Sequence, residues 1–464
     1  MTIRSLLRAG KLLNLLLWPF FLIFLPFVLL VVPKARPHIR ERFGLGATSS
    51  KKDREPTLFH LASLGEANAA SPLIRKLAEE GFPLILTATS ESGRSALIKS
   101  FPGLPVSLLP LDLPGIWEPF WLSRRIRRVI LFETEIWPMM LLTAYSRNIP
   151  VMVVNGRLSP GGFAAMMRWR FFLRPLFAGL SMVLAGSADD RDRYLKMGVR
   201  EEVLSVTGNI KWDMPPPDPS SSGGLKEDLS SWISRFENAF SGRPASGSLP
   251  VGYQSPGAFD GYLRVVLGSA HPQETLRILD AFLKDPWLSS RLHFLVAPRH
   301  LQKLPEFLKE GGVLSSLAFE LRSGKGRHDP DLPSRGPIVS ILDTHGELRT
   351  LYGLCHVAIT GGTFDRIGGH SPVEAASAGL PQIAGPWTDH VSTLVDRLAE
   401  GGGLVRVKNE EELACRIKWF LENPDGREKA GMMAQEVFRS EQGALSRTLA
   451  SVRRFLLEPR PEGS

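Results

Sequence analysis

Cysteine is almost absent from this sequence, since Cys355 and Cys415 are the only two among its 464 residues. We therefore expect neither a disulfide framework nor a cysteine-based zinc site, and a reducing cytoplasm suits the chain. No internal repeat and no nucleic-acid module signature is visible. With 43% hydrophobic and 22% charged residues the composition is globular, and the length allows two or three domains.

Charged residues are missing from one long stretch, the 21 residues Leu12–Val32. As a helix this stretch would cross roughly 30 Å of hydrocarbon. It is longer than the apolar core of a signal peptide, and Pro33 and Lys34 follow it where a cleavage site would need small residues. We interpret it as a single-pass membrane anchor. A signal peptide, or a hairpin bent at Pro19 and Pro26, stays open as an alternative.

Positive charge outweighs negative charge, with a formal net charge of +9. This excess favours an anionic partner, and the predicted anchor favours an acidic membrane surface over nucleic acid. Arginines are concentrated in two places, the run 124–128 and an aromatic-rich segment that carries Arg157, Arg168, Arg170 and Arg174. Each group either holds a phosphorylated lipid or forms a solvated face. Basic residues are slightly more numerous after the anchor than before it, which favours a cytoplasmic body.

Short apolar runs alternate with helical patterns in both halves of the chain, as in parallel α/β sheets. In the first half the predicted strands are Thr57–Ala62, Pro83–Ala88, Arg128–Phe132, Val151–Val154 and Met182–Ala185. In the second half the predicted strands are Leu263–Gly268, Leu292–Ala297, Ile338–Leu342, His356–Thr360 and Pro381–Ala384. A last helix, predicted at about Glu436–Leu457, has room to pack back on the first half.

A stretch rich in proline, glycine and serine separates the two halves. The predicted organisation is an anchor at 1–33, a first α/β domain at 40–213, a linker or insertion at 214–260, a second α/β domain at 261–435, and a C-terminal helix and tail at 436–464. Two such domains imply a cleft between them. Ligands of open α/β sheets bind beyond the carboxyl ends of the strands, so the residues that follow the strands are the first candidates for a site.

The segment Cys355–His390 combines a predicted strand, a glycine-rich loop and a helix start. Four glycines would let the backbone approach a ligand closely: Gly361, Gly362, Gly368 and Gly369. The residues Ser371-Pro372-Val373-Glu374 open the helix, whose free N–H groups favour a phosphate. The same four residues read as a capping box, in which Glu374 only reaches back to the Ser371 N–H. Both interpretations stay open at this point.

Marked residues follow the strands in both halves and form recognisable motifs. In order along the chain they are Leu64–Glu66, Leu111–Pro114, Glu133–Pro138, Asn155–Ser159, Gly208–Asp213, Gly268–Pro272, Pro298–His300, His345–Leu348 and Gly361–Glu374. With these motifs the chain resembles the 3-deoxy-D-manno-octulosonic acid (Kdo) transferases of lipopolysaccharide synthesis. The resemblance implies a GT-B fold, with two Rossmann-like α/β domains that face a cleft and an N-terminal transmembrane helix.

The resemblance also implies a reaction and its residues. The reaction is an inverting, metal-independent transfer of Kdo from cytidine monophosphate Kdo (CMP-Kdo) to a lipid A precursor, lipid IVA, without a further cofactor. By resemblance Glu66 is the base that takes the acceptor's proton. Its alternative role is a helix-start residue, and there the helix dipole would lower its basicity.

The nucleotide-holding positions of the family fall on residues of the second half. They are Pro298, Arg299, Gly346, Glu347, Leu348, Ser371, Pro372, Val373 and Glu374. Arg299 would pair with the phosphate, and Glu374 would accept from ribose hydroxyls. The resemblance implies a single-pass protein of the bacterial inner membrane with its catalytic body on the cytoplasmic side.

The sequence departs from the family pattern at Ser371, where Asn is usual, at His345, where Met is usual, and in a longer insertion between the halves. Glu133 and Glu135 are not separated by strand alternation, although the family favours Glu135 for an acceptor-side or structural role. Two other functions stay open. One is a different GT-B enzyme, either a transferase that uses a uridine nucleotide sugar or a sugar-nucleotide epimerase. The other is a non-catalytic, membrane-anchored binding protein. No motif encodes the number of Kdo residues added or the oligomeric state.

Overall fold

The computed structural model describes residues 38–45, 55–113, 115–213, 228–233, 263–305, 308, 319–324 and 338–458. The chain divides into two compact units, one of residues 1–213 with 441–464 and one of residues 214–440. The predicted anchor Leu12–Val32 lies outside the described residues. Within the described ranges, no helix is both long and apolar enough to span a membrane.

The first unit is built on a seven-stranded parallel sheet in the order β3-β2-β1-β4-β5-β6-β7. Its strands are β1 Thr57–Leu61, β2 Leu84–Ala88, β3 Val106–Leu108, β4 Arg128–Phe132, β5 Val151–Gly156, β6 Met182–Ala185 and β7 Leu204–Val206. Its helices up to Met197 are α1 Ile39–Arg42, α2 Leu64–Glu79, α3 Glu91–Ser100, α4 Trp117–Arg124, α5 Pro138–Ser146, α6 Pro160–Arg168, α7 Arg170–Ala178 and α8 Ala188–Met197. Neighbouring residues of β1, such as Leu58 and Phe59, enter separate hydrophobic clusters, because successive side chains point to opposite faces of a sheet.

The second unit repeats this plan with a seven-stranded parallel sheet in the order β10-β11-β9-β8-β12-β13-β14. Its strands are β8 Leu263–Ala270, β9 Leu292–Pro298, β10 Phe319–Leu321, β11 Ile338–Ile341, β12 Val357–Thr360, β13 Gln382–Ala384 and β14 Leu404–Arg406. The helices whose two ends are described are α9 Pro272–Leu283, α10 Pro286–Ser289, α11 Leu348–Tyr352, α12 Val373–Ser377, α13 Ser392–Glu400, α14 Glu410–Glu422 and α15 Pro424–Ser440. Most of the predicted linker lies outside the described residues, but Leu229, Trp232 and Ile233 within it are buried against this sheet.

All ten predicted strands are present, and the four strands that the sequence pattern missed are the edge strands β3, β7, β10 and β14. Each of these edge strands has three residues. Central strands are buried on both faces and therefore appear as continuous apolar runs, as in β1 and β2. A short edge strand needs no such run, and β7 leaves Ser205 and Val206 exposed.

The prediction of one final helix is wrong. The chain instead forms α15, a turn at Gly443 with a φ of 91°, and α16 Ala444–Leu457. The carboxylate of Asp213 accepts hydrogen bonds from the Gly443 and Leu445 N–H groups and so holds the start of α16. Along α16, Leu449, Val452 and Phe455 are buried in the core of the first unit, which confirms that the last helix packs back on the first half.

Candidate active site

Glu66 is the third residue of helix α2, which begins shortly after strand β1 ends. The Ser63 hydroxyl oxygen accepts from the Glu66 N–H at 3.3 Å and donates to Glu66 Oε1 at 3.1 Å. Glu66 Oε2 accepts from the Ala62 N–H at 2.7 Å. The helix-start role of Glu66 is therefore present in the structure, and these contacts fix the direction of its carboxylate.

The pKa of Glu66 is nevertheless raised to about 8. Burial is the largest cause, followed by the negative charge of Glu133 and, less strongly, that of Glu135. The hydrogen bonds from Ala62 and Ser63 act in the opposite direction without cancelling the rise. The expected loss of basicity at a helix start is outweighed here, because desolvation and like charges both disfavour the carboxylate form.

Glu133 differs from Glu66 because a cation compensates it. It follows β4 with a φ of 58°, a left-handed conformation that is rare for residues other than glycine. Its Oε1 accepts from Lys211 Nζ at 2.9 Å. Burial opposes ionisation, but the ammonium of Lys211, with help from Arg157, lowers the pKa of Glu133 below its ordinary value. Glu133 therefore acts on Glu66 as an ionised neighbour.

Glu135 has different contacts from Glu133. Strand β4 ends at Phe132, so strand alternation does not govern Glu133 and Glu135. Glu135 Oε2 accepts from Trp137 Nε1 at 3.0 Å and lies 3.8 Å from Nε2 of the buried His60. Glu133 thus pairs with Lys211, whereas Glu135 contacts Trp137 and His60.

In the second unit, Pro298 ends β9 and Arg299 follows at its carboxyl end. The Arg299 backbone N–H donates to the Ala270 carbonyl at 2.9 Å, and its side chain is exposed. Burial lowers the pKa of His370 to about 3, and the positive charge of Arg299 is the next cause. His370 Nε2 lies 2.8 Å from His271 Nε2. Arg299 therefore stands within electrostatic reach of a partly buried histidine pair.

The glycine loop is held by a carboxylate of the protein itself. Glu274 on α9 is fully buried and accepts from the Gly362 N–H at 2.7 Å, from Phe364 and from His271. Burial raises the pKa of Glu274 to about 7. A Cβ on Gly361 would lie 2.3 Å from the Gly268 carbonyl oxygen. Gly361 thus serves close approach to strand β8, and the Gly362 N–H expected to face a ligand is already engaged.

The capping-box interpretation of Ser371–Glu374 is not what the structure contains. Ser371 Oγ accepts from the Val373 N–H at 3.4 Å, while α12 begins at Val373 with Pro372 as its N-cap residue. Burial raises the pKa of Glu374, while the positive charges of Arg349 and then Arg299 act in the opposite direction. The charges of Arg349 and Arg299 therefore both act on Glu374, and Arg349 joins the two residues that the sequence predicted.

The remaining predicted nucleotide positions lie before α11. Gly346 has a φ of 86° and is exposed, and Leu348 begins the helix. Glu347 is buried, where it accepts from Arg322 Nη2 at 3.1 Å and from the Thr344 hydroxyl. Its carboxylate is thus occupied by neighbouring side chains.

The sequence reasoning missed several residues of these sites. Lys211 lay inside a recognised motif without a role, and Glu274 was signalled only by its spacing of three from His271. His60 and Arg349 had no local signal. Within the ranges that the structure describes, no group of three or more His, Cys, Asp or Glu side chains is placed to hold a metal ion.

Comparison with known proteins shows what the chain is similar to. Residues 37–214 match the family model described as 3-deoxy-D-manno-octulosonic-acid transferase (kdotransferase). The chain is 27% identical to the 3-deoxy-D-manno-octulosonic acid transferase of Haemophilus influenzae, over 94% of this chain and 96% of that one. It is 29% identical to the enzyme of the same name from Bordetella pertussis, over 89% of this chain and 91% of that one. The chain therefore resembles the Kdo transferases over most of its length, and residues 37–214 match their family model. It is a glycosyltransferase.

The fold of the chain is also similar to those of solved structures. The UDP-GlcNAc 2-epimerase from Neisseria meningitidis, solved with UDP-GlcNAc, matches 87% of this chain and 100% of that one. Its TM-score is 0.52 at 15% sequence identity. At that identity the likeness concerns the fold alone, and it agrees with the predicted GT-B architecture of two parallel α/β sheets.

The raised pKa of Glu66 predicts a pH dependence of stability. Because the folded pKa of about 8 lies above the ordinary value of 4.5, the folded state keeps a proton that the unfolded chain has released between these pH values. The free energy of unfolding of the wild type should therefore fall, relative to that of Glu66→Gln, as the pH rises from about 5 to about 8. The slope for one proton is at most about 1.4 kcal/mol per pH unit.

Urea unfolding at a series of pH values measures this difference. The matched control is Glu79→Gln, which changes an exposed glutamate on the same helix and should leave the curve parallel to that of the wild type. Parallel curves for Glu66→Gln as well would contradict the raised pKa.

Proposed function

We propose that the protein transfers Kdo from CMP-Kdo to a lipid A precursor, lipid IVA, with inversion at the anomeric carbon. One observation carries the proposal: on a motif shared with the Kdo transferases, Glu66 is a carboxylate with a pKa of about 8, held in a fixed direction beside the ionised Glu133. A general base works best when its pKa lies near the operating pH. Neither a scaffold protein nor a binding module needs such a group.

The proposed reaction is a single displacement. The acceptor hydroxyl oxygen forms a bond to the anomeric carbon of Kdo, while the bond from that carbon to the phosphate oxygen of cytidine monophosphate (CMP) breaks. The leaving phosphate oxygen keeps the electron pair, and Glu66 takes the hydroxyl proton. Lys211 keeps Glu133 ionised, and the charge of Glu133 raises the proton affinity of Glu66.

The second unit is proposed to hold the nucleotide. Arg299, exposed at the end of β9, would pair with the phosphate, and Glu374 would accept from the ribose hydroxyls. Gly346 and Leu348 would contribute backbone contacts. Since the Glu347 carboxylate is paired with Arg322, we assign Glu347 to positioning the Gly346 turn.

Glu66→Gln is expected to lower the rate of transfer to lipid IVA by about 10²- to 10⁴-fold, because the amide keeps size and hydrogen bonding but cannot take a proton. CMP affinity should stay close to that of the wild type. The wild-type kcat/KM should rise with pH and level off near pH 8, in line with the pKa of Glu66. A Glu66→Gln enzyme that kept more than about a third of the activity would move the base role elsewhere, with Glu135 the next candidate.

Arg299→Ala and Glu374→Ala are expected to weaken CMP binding. The arginine change should be the more severe, since a charge-assisted contact to phosphate contributes roughly 1.5–3 kcal/mol. Isothermal titration with CMP measures both effects, and thermal unfolding is recorded beside it. A Glu374→Ala variant with lowered stability but unchanged CMP affinity would show a structural role only.

We propose that the protein is fixed in the bacterial inner membrane by Leu12–Val32, with its body on the cytoplasmic side. A second surface supports a membrane partner: Trp169, Phe171 and Phe172 are exposed by 63%, 66% and 47%, next to the exposed Arg168 and Arg170. Residues 157–178 contain four arginines and no acidic residue. Exposed aromatic rings flanked by cations suit an interface with anionic lipid headgroups.

A chain that starts at Lys34 should be released from membranes by carbonate, because it lacks the uncharged stretch. It should still bind vesicles of phosphatidylglycerol at low salt, and Trp169→Ser with Phe171→Ser should reduce that binding severalfold. Trp419→Ser, a change at an exposed tryptophan of the second unit, is the matched control. Retention of the shortened chain after carbonate washing would contradict the anchor assignment.

A further inference from the structure

Arg349 carries two hydrogen-bond donors that the described part of the chain leaves unused. Its Nε and Nη2 atoms are buried and have no hydrogen-bond partner among the described residues. A buried donor without an acceptor costs free energy, and more so on a charged group. Such a group in a folded protein calls for an explanation, and a ligand that supplies the acceptors is one.

Arg349 lies on helix α11, and two residues of this helix interact electrostatically with Glu374. Among the positive charges that lower the pKa of Glu374, Arg349 has the largest effect, followed by Arg299. Tyr352, three residues later on the same helix, is buried, and the Glu374 charge contributes to its raised pKa after burial itself. Residues three apart share one side of a helix. Helices α11 and α12, which carry Arg349 and Glu374, contact each other, and the charges of Arg349 and Arg299 both act on Glu374.

Arg349 and Glu374 do not close on each other. Between these two described side chains the structure contains neither a hydrogen bond nor an ion pair, although their charges interact. Because the two groups do not pair with each other, both can bind the same ligand. Such a ligand would donate hydrogen bonds to the Glu374 carboxylate and accept hydrogen bonds from the Arg349 guanidinium. The parallel N–H groups on the Nε and Nη2 side of a guanidinium match two adjacent acceptor atoms.

Among pyrimidine nucleotides, the base that presents two adjacent acceptors is cytosine, at O2 and N3. Uracil has an N–H at position 3, so the same fork would meet a donor there. We propose that Arg349 selects the base of the donor nucleotide, with Nε–H and Nη2–H donating to N3 and O2 of cytosine while Glu374 accepts from the ribose. This inference rests on the proposed function, because it takes the donor to be a cytidine nucleotide.

The test compares CMP, uridine monophosphate and 2′-deoxy-CMP by isothermal titration on the full chain in detergent. The wild type should prefer CMP to uridine monophosphate by roughly 10- to 100-fold, the range that one or two charge-assisted hydrogen bonds provide. Arg349→Met should weaken CMP binding by a similar factor and leave uridine monophosphate nearly unchanged, so that the preference disappears. Arg349→Lys, which keeps the charge beside Glu374 but lacks the fork, should also lose most of the preference.

Arg406→Met removes an exposed, ion-paired arginine of the same unit and should keep the full preference. The inference is wrong if Arg349→Met weakens both ribonucleotides equally, or if the preference for CMP survives in both Arg349 variants. It is also wrong if Arg349→Met changes instead the ratio between CMP and 2′-deoxy-CMP, since that result assigns Arg349 to the ribose. Should Arg349→Met fail to fold, Arg349→Lys decides alone. A wild type that does not prefer CMP would overturn the cytidine donor itself, independently of either variant.

Discussion

Burying a carboxylate away from water costs free energy unless hydrogen bonds or cations compensate it, and both units place carboxylates at the ends of their parallel strands. Glu274 accepts from three backbone N–H groups and thereby fixes the glycine loop against α9, although burial still raises its pKa to about 7. Glu133 is compensated by Lys211. Glu66 is compensated only in part, since its two hydrogen bonds do not balance burial and the neighbouring charge. Of these three carboxylates, Glu274 and Glu66 have a raised pKa, but Glu274 is fully buried, whereas Glu66 is partly exposed and is therefore the one that can take a proton from a bound molecule.

This distinction resolves an opposition that the sequence left standing for Glu66. A helix-start glutamate and a general base looked like exclusive roles, because the helix dipole lowers basicity. In the structure the contacts with Ala62 and Ser63 orient the carboxylate, while burial and Glu133 set its pKa. Orientation and basicity therefore come from different neighbours. For Glu374 the capping interpretation and the ligand-binding interpretation are not combined in this way. Helix α12 begins only at Val373, so the Glu374 carboxylate does not cap the helix start at Ser371.

The glycine loop shows how a motif can be recognised while its local physics is misjudged. The sequence predicted that Gly361 and Gly362 bring the backbone close to a ligand. In the structure Gly361 packs on strand β8 and the Gly362 N–H binds Glu274, so these glycines serve the fit between protein elements. At the carboxyl end of β9, by contrast, the side chain of Arg299 is exposed.

By itself, the sequence determined the alternation of helices and central strands, because a strand buried on both faces must be apolar throughout. It also determined the positions of Glu66, Arg299 and Glu374 after strands, since ordered motifs fix them. Only the tertiary structure decided which charges meet. Lys211 lies 78 residues from Glu133, and Arg264 Nη1 donates to the carbonyl of Leu354, which lies 90 residues away in the chain. A pKa depends on burial and on neighbours within a few ångströms, and the chain order of the residues does not specify those distances.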